Sequence, residues 1–174
     1  LDGWGMMQIY ARRYTADPMH IDSAMEMGKR NALDRWIYLS QLTQAIGLRE
    51  AIERHRNSKG KIAGSLYWQL NDVWPTVSWS AVDHAGRWKL AHHAVRHANA
   101  DQRIIWTRNP LEKGQAQVHN QSPLRLVDSQ LTVQWRDQTG TVQDSTTKTI
   151  TIDAFATLDH TFAPPNARCA LVTW

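Results

Sequence analysis

The chain has 174 residues, a formal net charge of +4, a single cysteine and a hydrophobic content of 42%, enough for one domain or two small ones. No run of about 18 apolar residues is present to span a membrane as a helix, and lone Cys169 excludes an internal disulfide framework and a cysteine-rich zinc site. The basic residues are dispersed, as in Arg12-Arg13, Lys29-Arg30 and Arg54-His55-Arg56, which suits a solvated helix face and argues against a nucleic-acid-binding stripe.

The start, Leu1-Asp2-Gly3-Trp4, carries no initiator Met, basic segment or apolar leader core, so it reads as the beginning of a piece of something longer, with no compartment legible in it. Residues 4–14 place Trp4, Met7 and Tyr10 at helical spacing and are bounded by Pro18; residues 20–29 suit another short helix. The strongest helical pattern covers 31–57, where Leu33, Trp36, Ile37, Thr43, Ile46 and Ala51 recur at threes and fours, and the polar end before Gly60 closes it. Residues 61–70, apolar in their middle between Gly60 and Asn71-Asp72, predict a strand buried on both faces, as in a parallel sheet. A loop over 71–86 follows, with Asp83 as a turn residue. A helix over 87–98 comes next, with Trp88, Ala91, Val95 and Ala98 on one side. Helix, buried strand, loop and helix is α/β grammar.

Near residue 100 the period changes from helical to two. Ile104-Ile105-Trp106, Ala116 and Val118, and Leu131, Val133 and Trp135 predict strands. The turn Gln138-Thr139-Gly140-Thr141 makes 129–137 and 142–152 a hairpin. Ile150 and Ile152, Leu158 and Phe162, and Leu171 continue the pattern, with Pro164-Pro165-Asn166 as the last turn and Cys169 as a buried, inert thiol in an apolar run. About six short strands suit an antiparallel β-sandwich of the immunoglobulin-like type, without the Cys–Trp–Cys core of antibody domains. The boundaries are therefore 1–100 for an α/β part and 101–174 for an all-β part, and Trp174, ending within a strand-like run, reads as a cut in the second.

The chemistry gathers in Gly64–Asp83, where Trp68, Trp74 and Trp79 are interleaved with Gln69, Asn71 and Asp72. Indole faces stack on the C–H faces of sugar rings, and short amide and carboxylate side chains bind hydroxyls that both donate and accept. Trp68, Asn71, Asp72 and Trp74 are the candidate substrate-binding residues; Trp79 between two serines reads as a packing residue that holds the loop down. Glycoside hydrolysis needs two carboxylates about 5–9 Å apart. The four glutamates, Glu26, Glu50, Glu53 and Glu112, fall in helical patterns or a loop and none follows a strand, so no catalytic pair is assigned. His93 and His97 stand at i, i+4 on a helix without the glutamate of a zincin motif. No metal or cofactor is assigned.

Gly64-Ser65-Leu66-Tyr67-Trp68-Gln69-Leu70-Asn71-Asp72, then Trp74-Pro75, Ser78-Trp79-Ser80, Asp83, Gly86-Arg87-Trp88-Lys89 and His92, resembles the last barrel strand and helix of the β-mannosidases of glycoside hydrolase family 2. Tyr38–Ala45 resembles the helix just before them. The resemblance is specific over about 36–98 and architectural beyond 100. It implies the end of a (β/α)8 barrel, with its last strand at about 61–70 and last helix at about 87–98, followed by an immunoglobulin-like sandwich. It also implies a retaining, exo-acting enzyme that removes terminal β-D-mannose, with Trp68 lining the terminal-sugar subsite and Asn71, Asp72 and Trp74 in the loop beside it. The family's Asn-Glu and Ser-Glu-Phe/Tyr-Gly motifs, which carry the acid/base and the nucleophile, are absent from the 174 residues. The implied whole is thus a fragment that is inactive alone and needs the N-terminal part of its parent. Its substrate is a β-mannoside or another carbohydrate, and neither a nucleic acid nor a membrane is a partner. The residues leave two other readings open: a non-catalytic carbohydrate-binding or scaffold protein, and another family 2 glycosidase such as a β-galactosidase or β-glucuronidase.

Overall fold

The computed structural model describes residues 32–58, 61–108, 114–137, 139–162 and 169–173. The helices expected at 4–14 and 20–29, the turn at Pro164-Pro165-Asn166 and the side chains of Phe162, Cys169 and Leu171 lie outside the described residues. The chain is mixed helix and strand and divides into two compact units, Leu1–Asn99 and Ala100–Trp174.

In the first unit, helix α1 spans Ala32–Asn57 and helix α2 spans Leu90–Ala98. They pack against each other. Each buries residues seven apart, Ala45 and Ile52 on α1, Ala91 and Ala98 on α2, which is two turns of one helical face. Side chains of α1 then fasten both ends of α2. Gln41 Oε1 accepts the backbone N–H of Leu90 at 3.1 Å, and Arg56 donates to the carbonyl of Ala98. These bonds satisfy groups that a helix end leaves without an intrahelical partner. Because an early residue of α1 meets the start of α2 and a late residue meets its end, the two helices run in the same direction.

Parallel helices require the chain between them to return. Two further bonds from α1 trace that return: His55 Nδ1 lies 2.7 Å from Ser65 Oγ, and Gln44 donates to the carbonyl of Trp79 at 2.6 Å, next to the point where Leu70 meets Val82. From Gln44 to His55 is roughly 16 Å of helix, and from Ser65 to Leu70 roughly 16 Å of extended chain, so the lengths match.

The strand expected at 61–70 does not form a ladder. A strand needs a neighbour for its N–H and C=O groups; here Lys61 and Ile62 donate back to the carbonyl of Ser58 in a turn, and Gln69 and Leu70 accept the amides of Ala81 and Val82 at 3.0 and 2.8 Å. Ile62, Leu66, Trp68 and Leu70 are exposed, while Tyr67 and Gln69 are half-buried. Strand-like alternation of burial is confined to 66–70, and residues 61–66 are all exposed. Likewise the apolar stripe expected on α1 is not the buried face. Of its residues Leu33, Ile37 and Ala51 are exposed and Trp36, Thr43 and Ile46 half-buried, while the buried residues are Ala45 and Ile52.

In the second unit, β1 (Gln102–Arg108), β2 (Gly114–Asn120) and β5 (Thr157–Phe162) form one antiparallel sheet in the order β1-β2-β5. β3 (Leu126–Arg136), β4 (Val142–Ile152) and β6 (Cys169–Thr173) form another in the order β4-β3-β6. The two sheets share one core of Ala116, Val118, Leu131, Val133, Trp135, Ile150 and Ile152, with Ile104, Ala156 and Leu158 packed on it. The alternation in β3 is as the sequence predicts, with Leu131, Val133 and Trp135 inside and Thr132, Gln134 and Arg136 half-exposed. β4 is an edge strand and is exposed from Val142 to Thr149. Its Asp144 and Lys148 are the kind of charge that keeps a free edge from pairing with another chain.

Two hairpins, one in each unit, use the same five-residue device, Asp83-His84-Ala85-Gly86-Arg87 and Asp137-Gln138-Thr139-Gly140-Thr141. In each, the glycine N–H donates to the aspartate carbonyl at 3.0 Å, and the aspartate N–H donates to the carbonyl of the fifth residue at 3.0 Å. Each glycine has positive φ, 79° at Gly86 and 88° at Gly140, a conformation glycine adopts without steric cost. Each aspartate side chain accepts amides inside its own turn: Ala85 and Arg87 on Asp83, Thr139 and Thr141 on Asp137. The bond from the Arg87 amide is the largest influence holding the Asp83 carboxyl below its ordinary range, and at Asp137 it is the bond from the Thr139 hydroxyl.

The loops at one end of the second unit hang on buried Asn120. Its amide donates to the carbonyls of Leu124 at 2.7 Å and Asp153 at 3.0 Å, and its Oδ1 accepts the N–H and hydroxyl of Ser122. Asn120→Ala leaves these groups without their partner and is expected to cost about 2–3 kcal/mol. Urea unfolding read by amide exchange in β2 and β3 measures it, and a cost under about 0.5 kcal/mol, the range of an ordinary surface change, would count against this role. Gly140→Ala is expected to cost about 1 kcal/mol, because the added Cβ meets open space and only the backbone conformation resists it.

Candidate functional site

The segment that returns between the helices ends at Asp72, and the chain comes back to it at Ser80. Asn71 pairs in parallel with Val82, and Val82 pairs in antiparallel with Trp88. Backbone bonds from Asp72 N–H to the Val82 carbonyl at 3.0 Å and from Lys89 N–H to the Ala81 carbonyl at 2.9 Å close this small three-stranded neck. The residues expected to form an irregular loop over 71–86 are therefore a loop, 73–79, on a paired base, and then the Asp83–Arg87 hairpin.

Asp72 lies at the centre of the base and is only 6% exposed. Its Oδ1 accepts the Ser78 hydroxyl at 2.6 Å, and its Oδ2 accepts the Ser80 hydroxyl at 2.5 Å and faces the Lys89 ammonium at 3.4 Å. Lys89 Nζ also donates to Ser80 Oγ at 2.7 Å, and Ser78 Oγ accepts the N–H of Ser80 at 3.0 Å. Ser80 is itself buried. Each hydroxyl thus donates once and accepts once, as a serine can. The bonds from Ser78 and then Ser80 hold the Asp72 carboxyl below its ordinary range, with the Lys89 charge adding to them and burial opposing them.

The aromatic residues lie on the outside of this base. Trp68, Trp74 and Trp79 are 74%, 63% and 62% exposed. Asn71 is exposed as well, with its amide N–H on the Asp72 carbonyl at 3.3 Å and its own carbonyl held by Gln69 at 3.0 Å. Of the four candidate residues, Trp68, Asn71 and Trp74 present their side chains to solvent, and Asp72 turns its side chain inward. Trp79 does not pack under the loop. Ser78 and Ser80 point to Asp72, and in an extended run the residue between them points the other way. It is the Trp79 backbone carbonyl, bound by Gln44, that is anchored. Sequence reasoning named Ser78, Ser80 and Lys89 only as letters of a motif. The signal available was the small polar residue on each side of Trp79, which placed two hydroxyls on one face.

Trp88, half-exposed at the end of the neck, has His92 and His93 against it, with ring centroids at 4.2 and 5.3 Å, and the Arg96 guanidinium 6.0 Å from its ring. Glu50 and Glu53 stand on α1, where Glu53 pairs with Arg49 at 3.8 Å.

Exposed indoles and an amide thus stand outside a buried carboxylate, in a chain whose sequence is similar to glycoside hydrolases. No protein-family model matches the chain. Its sequence is similar to β-mannosidases: that of Aspergillus flavus, β-mannosidase A, is 36% identical over 106 residues, 59% of this chain and 11% of that enzyme. The chain therefore spans about a tenth of the length of the curated relatives it matches. The crystal structure of the β-D-mannosidase from Dictyoglomus thermophilum matches 82% of this chain and 17% of its own with a TM-score of 0.57 at 25% identity. The exo-chitosanase of Amycolatopsis orientalis shares the fold, with a TM-score of 0.61 at 22% identity over 81% of this chain and 18% of its own.

The lowered position of Asp72 fixes the sign of one pH effect. A carboxyl held lower in the folded chain contributes stability in full above the ordinary carboxylate range and loses it as pH falls through its lowered folded value. The protection of the 72–82 amides against local opening is therefore expected to weaken in acid, and Asp72→Asn is expected to remove that pH dependence. Exchange rates compared with those of an unfolded peptide at each pH provide the check, and an acid-insensitive loop in the unaltered chain would contradict it.

Proposed function

We propose that this chain is part of an exo-acting, retaining β-mannosidase that hydrolyses terminal β-D-mannose, and that it contributes a tryptophan-lined wall of the sugar site without the catalytic glutamates. In this reading residues 1–100 are the closing segment of a (β/α)8 barrel, and residues 101–174 are an immunoglobulin-like sandwich. The observation that carries the reading is the presentation of Trp68, Asn71 and Trp74 on one loop and its approach, in a chain 36% identical over 106 residues to a β-mannosidase.

The local architecture supports the barrel assignment. Parallel helices joined by an extended return segment are the repeating unit of such barrels, and barrel enzymes carry their sites on the loops that follow the strands. The bare stripe Ile62, Leu66, Trp68 and Leu70 is what a strand would offer to neighbours supplied by another part of the parent. The six strands around one core support the sandwich assignment.

The chemistry divides accordingly. Retention needs a nucleophile and an acid/base about 5–5.5 Å apart. Glu50 and Glu53 belong to α1, away from any strand end, and Asp72 is fully engaged by its neighbours. The rest of the parent supplies both carboxylates, while Trp68 and Trp74 stack on the mannose ring and Asn71 takes a hydroxyl.

The purified 174-residue chain is expected to leave an aryl β-mannoside intact, and turnover by it alone would overturn the division of labour. In the parent, Trp68→Ala is expected to weaken sugar or transition-state binding by about 1–3 kcal/mol, by analogy with other stacking platforms. An unchanged kcat/KM for that variant would make Trp68 a packing residue.

A further inference from the structure

We propose that Asp72 is a positioning residue: with Ser78, Ser80 and Lys89 it clamps the base of loop 73–79, and it acts on carbohydrate only through the Trp74 that this loop presents. The proposal deepens the sugar-site reading and rests on it for the identity of what Trp74 meets.

Geometry argues against a direct contact between Asp72 and a sugar. Its carboxylate already receives Ser78, Ser80 and Lys89, and the residue is almost wholly buried. A hydroxyl could reach it only by displacing one of these donors, which would leave a buried serine or the Lys89 ammonium short of its acceptor.

Position argues for a clamp. The carboxylate spans six residues to Ser78 and eight to Ser80, and so closes both ends of the loop on one point. Val73, Trp74, Pro75, Thr76 and Val77 between them are all exposed, so little of the loop is held by burial. Lys89 supplies the third side. It occupies the N-cap of α2, yet makes no side-chain cap bond there. A positive charge at the positive end of a helix is unfavourable by itself. Here its ammonium is turned onto Ser80 and Asp72, at 2.7 and 3.4 Å, which offsets that cost and ties the loop base to the start of α2. The Leu90 N–H, which an ammonium cannot accept, donates to Gln41 Oε1.

The test uses the whole chain labelled with fluorotryptophan and followed by fluorine NMR, with lines assigned by single Trp→Phe changes. Asp72→Asn and Lys89→Met are each expected to shift the Trp74 line, and the double change is expected to shift it no further than the larger single effect, because both remove one shared contact. The Trp135 line, from the other unit, is expected to stay in place. Ser78→Ala is expected to move the Trp74 line and Ser78→Thr, which keeps the hydroxyl, to restore it. If Asp72→Asn also moves the Trp36 line on α1, the helix pair has been disturbed, and the Ser78 pair of variants decides. An unmoved Trp74 line in Ser78→Ala, or no restoration by threonine, overturns the clamp. The spectra need no sugar, so the two ideas fail separately. In the parent, an unchanged kcat/KM for an aryl β-mannoside in Trp74→Ala overturns Trp74 as a sugar contact and as the contact through which Asp72 acts.

Discussion

In the first unit the arrangement depends on α1 holding both ends of α2 in the same order. Gln41 on the first amide and Arg56 on the last carbonyl leave α2 no freedom to reverse. The chain between them must then run back along α1, and it does so in an extended form whose length matches the helix it passes. This return brings Trp68 to the end of the segment and sets Asp72 at the base of a loop. The candidate site is thus a consequence of helix packing, in the sense that the loop lies where two parallel helices oblige the chain to turn over.

Within that frame the loop base is a small polar structure that charge makes possible. A buried carboxylate is costly unless it is paired and hydrogen-bonded. Two serine hydroxyls and one ammonium meet that need for Asp72, and buried Ser80 in turn finds its partners in the carboxylate and the lysine. Turning these groups inward leaves the indoles of Trp68, Trp74 and Trp79 on the outside. The loop thus has inward hydroxyls on one side and outward aromatics on the other. The second unit has a different economy, in which alternate strand residues fill one apolar core and a buried asparagine gathers the loops.

The local features were legible in the sequence. Period-two alternation in β3 placed Leu131, Val133 and Trp135 inside, and the turn Gln138-Thr139-Gly140-Thr141 returned the chain as a hairpin, without the role of Asp137 being read. The matching run at 83–87 was read only as a turn, though it is the same device with its aspartate accepting the amides beyond it. The long helix began and ended within a residue of expectation. What misled was burial. The apolar stripe of α1 and the segment 61–70 read as covered because their composition suits a core, but composition does not say whether a neighbour is in the same chain.

The sequence by itself determined the helix at 32–57, the strands after residue 100, the turns at 83–87 and 138–141 and the cluster of aromatic and amide residues at 68–74, because these follow from patterns among residues a few positions apart. Only the tertiary structure decided that Asp72 faces Ser78, Ser80 and Lys89 instead of solvent, that Trp79 points outward, and that Gln41 caps a helix 49 residues away. Those pairings join residues across loops and helices, where sequence spacing carries no distance, and they form only once the two helices have fixed the path of the chain between them.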